Sequence, residues 1–295
     1  MPTLAERLGF AASDRIAIVH ADDIGMCHAA NEGAFDALAN GVVSCGSIMV
    51  PCPWFREAAE RARANPAADL GVHLTLNSEW PHYRWGPVAS RDRVASLLDD
   101  QGCLPRTTLE TVRQAKPEQV EIELRAQIEA ALAAGVDVTH LDSHMGTVLF
   151  PPFIEVYAKL AAEYRVPAFV ARPDPAVLKK AGLAGFEPIL RKAIEQAESL
   201  GLPILDAVDL FSLDFAPGAG DAHTEKRLRR LGPGLTYFII HPAKEGEEIR
   251  AISPDAHART FEHAFYGSAR GREVFAKAGI KTVGMRPLRD LLRAA

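Results

Sequence analysis

The sequence predicts an α/β fold, a (β/α) barrel-like domain of distorted TIM type formed by the whole chain of 295 residues. Three observations favour this fold. Apolar, β-branched segments of strand length alternate with segments of helical spacing along the chain. The length suits one barrel, which typically has about 250 residues or more. No G-x-G-x-x-G motif follows the first strand, so a dinucleotide-binding sheet is disfavoured.

The predicted elements follow one another as strand, helix, strand. The opening strand starts at Ile16 and ends at the acidic pair Asp22 and Asp23, and the next helix stops at Asn40-Gly41, a usual C-terminal signal. Further strands are predicted at 44–50, 69–76, 138–142, 168–171, 202–206, 235–240 and 280–283. Helices are predicted at 28–40, 54–65, 117–134, 153–164, 187–200, 221–231 and 258–278. Eight strands alternating with helices indicate parallel βα units.

One segment, Asn77 to Lys116, interrupts this alternation. It contains Trp80, Tyr83 and Trp85 together with several prolines and glycines. A segment of this length inside a compact domain usually works as a lid or a binding loop. We therefore expect a lid-like insertion at about 77–116 that covers the site and offers aromatic rings to a sugar. The alternative is that these rings pack a satellite core beneath the loop.

The composition is that of an ordinary globular protein, with 48% hydrophobic and 24% charged residues. The net charge of -5 argues against nucleic acid or an anionic membrane as a partner, since binding phosphates requires a basic surface. No segment has the length of a signal-peptide core or a membrane span, so we expect a cytoplasmic protein with a small, neutral or mildly polar substrate. The four cysteines lack C-x-x-C spacing and are expected to be reduced thiols.

Polar residues recur where the predicted strands end. The carboxyl ends of parallel strands open on one face of a barrel, so residues distant in sequence meet there. The pair Asp22 and Asp23 is costly to desolvate unless a cation or a substrate proton engages it, although such a pair can also cap the next helix. The other candidates at this rim are His73, His140, Asp142, His144, Arg172 and His241.

One carboxylate with two imidazoles is the ligand set of catalytic zinc and of other open divalent sites, so the sequence predicts a metal site at this rim. His140 and His144 are four residues apart, and Asp142 between them could orient an imidazole. A single strand histidine is more often a satisfied core residue. Arg172 could keep Asp22 ionised through an ion pair, or form a plain ion pair on the rim.

Four motifs occur in order along the chain: VHADDIGM at 19–26, GVHLTL at 71–76, THLDSH at 139–144 and IIHP at 239–242. They are followed by AGI at 278–280 and RPL at 286–288. With these motifs the sequence resembles the YdjC/ChbG family of carbohydrate deacetylases over nearly its whole length. The resemblance implies a barrel-like fold related to the NodB-type polysaccharide deacetylases, and a cytoplasmic protein that often forms homodimers. It also implies removal of N-acetyl groups from chitooligosaccharides or similar amino sugars.

The resemblance further implies a role for each motif residue. Asp22 would be the general base and His241 the general acid, while Asp23, His73 and His144 would hold one divalent metal ion. Ligand softness suits Zn²⁺, Co²⁺ or Ni²⁺, and the open site also accepts Mg²⁺. Many relatives carry further histidines after the Asp-Ser-His motif, where this chain reads M-G-T at 145–147. The departure leaves the metal triad intact and the exact sugar open.

Two other functions stay open from the sequence. Another metal-dependent barrel hydrolase, such as an amidohydrolase or a phosphoesterase, would usually begin with His-x-His where this chain has Asp22 and Asp23. A non-catalytic sugar-binding protein would need neither the base Asp22 nor the acid His241. A glycosidase fits less well, because its two carboxylates come from separate strands with a defined gap.

Overall fold

The protein is described by a computed structural model, which covers residues 2–180 and 184–294. Parallel strands form the centre: β1 (Arg15–Ile24), β2 (Cys45–Ile48), β3 (Leu70–Leu74), β4 (Val138–Ser143), β5 (Ala207–Asp209), β6 (Gly234–Ile240) and β7 (Ile280–Thr282). The described α-helices are α1 (Leu4–Arg7), α2 (His28–Asn40), α3 (Phe55–Ala64), α4 (Thr108–Gln114), α5 (Pro117–Ala133), α6 (Ile154–Tyr164), α7 (Pro175–Lys180), α8 (Glu187–Ser199), α9 (Gly220–Arg230), α10 (Glu247–Ile252), α11 (Ala256–Tyr266), α12 (Ala269–Lys277) and α13 (Arg286–Ala294). Within these ranges no helix has the length and apolar composition needed to cross a bilayer.

The strands form one curled parallel sheet in the order β4-β3-β2-β1-β6-β5, and β7 pairs with the first residues of β1. Among the described residues between β4 and β5, the sheet continues as single bridges, Leu141 with Ala168 and Ala171 with Leu205. The described strands are therefore a half-barrel surrounded by helices, and the predicted barrel-like α/β fold is confirmed.

Three predicted elements differ from the structure. The segment 168–171 makes bridges rather than a full strand, and the strand predicted at 202–206 lies at Ala207–Asp209. Pro167 and Pro173 lie on either side of the first segment, and Pro203 lies within the second; proline cannot donate a ladder hydrogen bond, which limits pairing there. The helix predicted at 258–278 is two helices, α11 and α12, because Ser268 is extended (φ -125°, ψ 168°) between them.

Side chains alternate between the two faces of each strand, and this alternation separates the core from the site. On the inner face of β1, Ile16 and Ile18 pack with Leu235 and Tyr237 of β6 in a buried apolar layer. The next inward positions on β1, His20 and Asp22, are polar, whereas on β6 the apolar Ile239 precedes His241. The curled sheet therefore has an apolar floor and a polar upper layer, where the carboxyl ends of the strands meet.

The segment Asn77–Lys116 packs against this framework with most of its aromatic surface buried. Trp80 and Trp85 are 7% and 4% exposed, and Leu97 and Leu104 are fully buried in the main apolar cluster. Deleting the segment would therefore remove core side chains as well as any cover of the site. Whether it moves as a lid stays a prediction.

Candidate active site

The acidic pair at the end of β1 lies in an irregular stretch of the strand. The pairing register between β1 and β2 shifts between Ala21 and Ile24, and Asp23 adopts φ +64°. In a regular strand, neighbouring side chains would point to opposite faces. The bulge and the left-handed backbone at Asp23 instead bring both carboxylates into the polar layer, where they lie almost fully buried.

Asp23, His73 and His144 converge on one point, although they come from three different strand ends. The Asp23 Oδ1 atom lies 3.5 Å from His73 Nε2 and 3.3 Å from His144 Nδ1. This oxygen is buried and makes no hydrogen bond. A buried carboxylate oxygen without a partner is costly unless a cation engages it. The three ligand atoms are thus arranged as a candidate divalent-metal site.

Carboxylates bind the outer nitrogens of both imidazoles. His73 Nδ1 lies 2.9 Å from Asp142 Oδ2, and His144 Nε2 lies 3.0 Å from Glu79 Oε2. A carboxylate only accepts, so each ring donates its outer N–H, and when the ring is neutral its inner nitrogen keeps a lone pair free for a metal ion. This is the tautomer that metal ligation requires, which supports the fit of the residues to a divalent ion.

Two further residues support these ligands. Arg259 Nη1 donates to Asp23 Oδ2 at 2.7 Å, and Ser47 Oγ donates to Asp142 Oδ2 at 2.9 Å. Burial alone would raise the pKa of Asp23, but Arg259 and the two imidazoles hold that pKa well below its usual range. Asp23 is therefore an anion at every physiological pH and keeps one oxygen for the candidate ion.

The carboxylates around His73 and His144 favour the protonated form of both imidazoles. Burial lowers the pKa of His144, but Glu79 and Asp23 outweigh it and raise the pKa to about 9. Burial also opposes protonation of His73, whose pKa Asp142 and Asp22 raise well above its usual range. Without a metal ion both rings hold a second proton at neutral pH, so a metal ion must compete with protons for this site.

Asp22 lies between the triad and His241. Its Oδ2 atom is 3.8 Å from both His73 Nε2 and His241 Nε2, and its Oδ1 atom is 2.6 Å from His20 Nδ1. Burial raises the pKa of Asp22 to about 7, with Asp142 and Asp23 adding to the effect and His73 opposing it. A carboxylate with this pKa can take up and release a proton near neutral pH.

A buried hydrogen-bonded chain runs behind Asp22. His20 Nε2 lies 2.7 Å from His140 Nε2, His140 Nδ1 lies 2.9 Å from Thr139 Oγ1, and Thr139 Oγ1 donates to Asp69 Oδ1 at 2.5 Å. Asp69 accepts at one end, so His140 donates to Thr139 and accepts from His20 Nε2. One proton is then shared between His20 Nδ1 and Asp22 Oδ1. Burial lowers the pKa of His20 to about 4, so this proton lies on Asp22 when the carboxyl is neutral.

His241 follows β6 at the other side of Asp22. Ser212 Oγ lies 2.9 Å from its Nδ1, and Glu262 Oε2 accepts a hydrogen bond from its backbone N–H at 2.6 Å. Burial lowers the pKa of His241 to about 4, although Asp23 and Asp22 oppose the effect. The ring is neutral at neutral pH, with Nε2 turned towards Asp22.

The other predicted site residues lie in different surroundings. The hypothesis that Arg172 ion-pairs with Asp22 is wrong, because the Arg172 guanidinium is 57% exposed and pairs with Glu198 at 3.2 Å. Trp85 packs edge-on against His144 with ring centroids 6.3 Å apart, and the Trp80 ring lies 5.9 Å from the Arg259 guanidinium. Tyr83 donates from its hydroxyl to the Met26 carbonyl at 2.6 Å.

Comparison with known proteins places this arrangement in a family. The family model described as YdjC-like protein matches residues 16–277. This range includes the triad Asp23, His73 and His144, and also Asp22 and His241. The chain belongs to the YdjC-like family. This confirms the resemblance that the motifs indicate.

Curated relatives of this YdjC-like protein carry the name carbohydrate deacetylase. The protein from Thermus thermophilus is 36% identical over 93% of this chain and 94% of its own length. The one from Thermoanaerobacter pseudethanolicus is 31% identical over 80% of this chain and 84% of its own length. Among solved structures, an Enterococcus faecalis protein named for cellobiose-phosphate cleavage has a TM-score of 0.75 at 23% identity, over 94% of this chain and 99% of its own. That likeness shows the fold.

Sequence reasoning missed His20, Glu79, Arg259 and Ser212 as parts of the site. Only His20 had a local signal, because it lies two residues before Asp22 and so shares its face of β1. Arg259 and Ser212 come from an outer helix and a loop, at sequence distances where no pattern predicts contact. Glu79 lies inside the segment 77–116, where no periodic pattern marks a single acidic residue as part of the site.

Proposed function

We propose that this chain is a metal-dependent hydrolase that removes N-acetyl groups from amino sugars or chitooligosaccharide-like carbohydrates. The observation that carries the proposal is the unpartnered Asp23 Oδ1, faced by the inner nitrogens of His73 and His144. Asp22 and His241 lie beside it, with Asp22 Oδ2 and His241 Nε2 available for proton transfer. The names of the curated relatives support a carbohydrate as the substrate.

Asp23, His73 and His144 would hold the ion, Zn²⁺ or Mg²⁺, with Co²⁺ and Ni²⁺ as further candidates. When bound, a divalent ion there supplies Lewis-acid polarisation of the amide carbonyl and lowers the pKa of a water molecule. The outer carboxylates Asp142 and Glu79 hold both imidazoles in the ligating tautomer. The cell compartment and the homodimer stay predictions.

Asp22 accepts the proton of the attacking water at Oδ2, while His20 holds its other oxygen. His241 donates a proton from Nε2 to the departing amine nitrogen. Because the His241 ring is neutral at neutral pH, the proton that it donates must come from the reaction. Asp22 Oδ2, 3.8 Å from His241 Nε2, is the nearest described group that holds such a proton.

The test is acetate release from N-acetylglucosamine and its β-1,4-linked disaccharide by protein whose metal content has been measured. We expect turnover that a chelator abolishes and added Zn²⁺, Co²⁺ or Mg²⁺ restores. The Asp22→Asn variant serves as the inactive control, with its metal content measured in parallel. Hydrolysis of a phosphate ester or a cyclic amide without acetate release would favour the other barrel hydrolases. Sugar binding without any turnover at full metal occupancy would favour a binding protein.

A further inference from the structure

A cavity of about 440 Å³ adjoins Asp22 and His241. Asp22, Asp142, Tyr237 and His241 form one end of it. Most of its remaining wall comes from aliphatic and aromatic side chains that follow β4 or belong to α6, α7 and α8. Examples are Leu149, Phe150, Ile154, Phe186, Ile189 and Ile194. The catalytic end therefore opens into a largely apolar space.

Several of these apolar side chains are partly exposed in the described part of the chain. Phe150 and Phe186 are half-buried and contact each other edge-on, with ring centroids 5.4 Å apart. Ile189 and Met145 are 40% and 47% exposed. Apolar surface of this kind is stabilised when an apolar group displaces the water next to it.

A sugar ring alone is a poor match for such a wall. Each hydroxyl that leaves water needs a hydrogen-bond partner, and unpaired buried hydroxyls oppose binding. The cavity offers polar side chains mainly near its catalytic end and at Arg172 and Asp174. A group without hydroxyls fits the apolar part better.

We propose that the amino sugar hydrolysed here carries an apolar substituent, an alkyl or aryl aglycone, which lies in this cavity during deacetylation. This inference rests on the proposed function and specifies its substrate class. A chitooligosaccharide extended by further polar sugars would leave the apolar wall unused.

The position of the cavity assigns the substituent to the sugar side of the amide. In the proposed reaction the carbonyl oxygen faces the triad and the amine nitrogen faces His241. His241 lines the cavity, whereas Asp23, His73 and His144 are not among the described residues that line it. The group that the nitrogen carries, the sugar with its aglycone, is therefore directed towards the apolar wall.

The kinetic test compares the methyl and hexyl β-glycosides of N-acetylglucosamine as substrates of the metal-loaded protein. A fully buried methylene improves binding by about threefold to fourfold, and the hexyl group adds five. In a partly open cavity we expect the KM of the hexyl glycoside to be lower by about tenfold to 100-fold, with a similar kcat. Equal KM values, with acetate released from both, would overturn this inference and leave the proposed function standing.

A second series of substrates carries the alkyl chain on the acyl side of the amide: N-acetyl, N-butanoyl and N-hexanoyl glucosamine. We expect no gain with chain length in this series. A preference that appears only here would overturn the assignment to the sugar side.

Ile189→Lys tests the wall itself. This exposed position on α8 tolerates a lysine sterically, and the charge would disfavour an alkyl chain in the cavity. The variant should lose the preference for hexyl over methyl, measured as the ratio of the two KM values. Leu132→Lys is the matched control, since Leu132 is 44% exposed on α5 and outside the cavity wall. It should keep the preference, and melting curves verify that both variants are folded.

Calorimetry in the presence of a chelator separates this inference from the proposed function, because it measures binding without turnover. The hexyl glycoside should bind at least about tenfold more tightly than the methyl glycoside, with a more negative heat-capacity change. That result would support the apolar site even if no acetate were released. Equal affinities would overturn it.

Discussion

Replacing Asp22 by Asn should make the metal-free protein more stable at alkaline pH, while it lowers the catalytic rate by about 10²–10⁴. Burial raises the pKa of Asp22 from its ordinary value of 3.8 to about 7 in the folded state. Between these two values the folded chain holds a proton that the unfolded chain has lost, so stability falls as the pH rises. Above pH 7 both states are ionised, and the folded state carries the full penalty of a buried charge. Asn has no charge to bury at any pH.

The magnitude follows from the two pKa values. Each pH unit between them corresponds to about 1.4 kcal/mol, so the penalty grows by about 3 kcal/mol from pH 5 to pH 7 and stays constant above it. If Asn makes a weaker hydrogen bond with His20 than Asp does, the unfolding free energy changes by the same amount at both pH values. This contribution therefore cancels in the comparison. The gain in unfolding free energy of Asp22→Asn over the parent should therefore be about 3 kcal/mol larger at pH 8 than at pH 5.

The assay is urea unfolding of parent and variant at pH 5 and pH 8, with a chelator present so that no ion contributes. His20→Gln is a useful companion, since it removes the partner of Asp22 Oδ1 and leaves the carboxylate in place. It should keep the pH dependence that Asp22→Asn loses. A gain for Asp22→Asn that is equal at the two pH values, or larger at pH 5, would refute the idea that this carboxyl is held neutral by burial.

The remaining predictions concern the ion and the acid. Asp23→Asn should lose metal affinity and recover part of its activity in excess divalent ion. Asp22→Asn should keep its ion, lose about 10²–10⁴ in rate and gain nothing from added metal. Equal rescue of both variants by added metal would contradict the assignment of Asp23 as ligand and Asp22 as base. Glu79→Gln should weaken metal binding about tenfold, because His144 loses the carboxylate that orients it, and metal titration followed by calorimetry measures this. For the parent, the same titration should show affinity rising with pH up to about 9, since His144 must release a proton to bind the ion, and a flat profile from pH 6 to 8 would contradict that. His241→Asn should leave metal content unchanged and lower kcat by about 10²–10⁴ in the acetate assay.

The sequence could predict where most strands of this protein lie, because the periodicity of apolar residues that marks a strand is a local signal. The apolar run before Asp22 and the motif around Asp142 both end at the carboxyl edge of the parallel sheet. The curl of the sheet brings these ends together, with His20 Nε2 3.9 Å from Asp142 Oδ2, although β2 and β3 lie between β1 and β4. The same rule located His73 and His241. Convergence at a strand end needs only the element boundaries, which the periodicity of apolar residues supplies.

The contacts that tune these residues could not be predicted in the same way. Arg259 belongs to a helix 236 positions after Asp23, and its guanidinium reaches the carboxylate only because α11 packs against α2 and α9 and lies next to the residues that follow β6. Arg172 shows the opposite error. It lies at a strand end, yet its long side chain turns outward to Glu198, because a strand end fixes a Cα position and leaves a flexible side chain free to choose.

The adjacent carboxylates show how one local distortion can give two chemical roles. Asp22 and Asp23 have the same side chain, a nearly equal burial and a shared strand end, so sequence alone could not separate them. The bulge turns Asp23 towards Arg259 and two imidazoles, which hold its pKa well below the usual range and make it a permanent anion. Asp22 stays in line with His20 and meets no guanidinium, so burial raises its pKa to about 7. A cation favours the group that is always charged, and proton transfer favours the group that titrates near neutral pH. The backbone geometry at Asp23 thus determines which carboxylate can act as the metal ligand and which as the base. A variant that restores a regular strand at Asp23 should disturb both roles together.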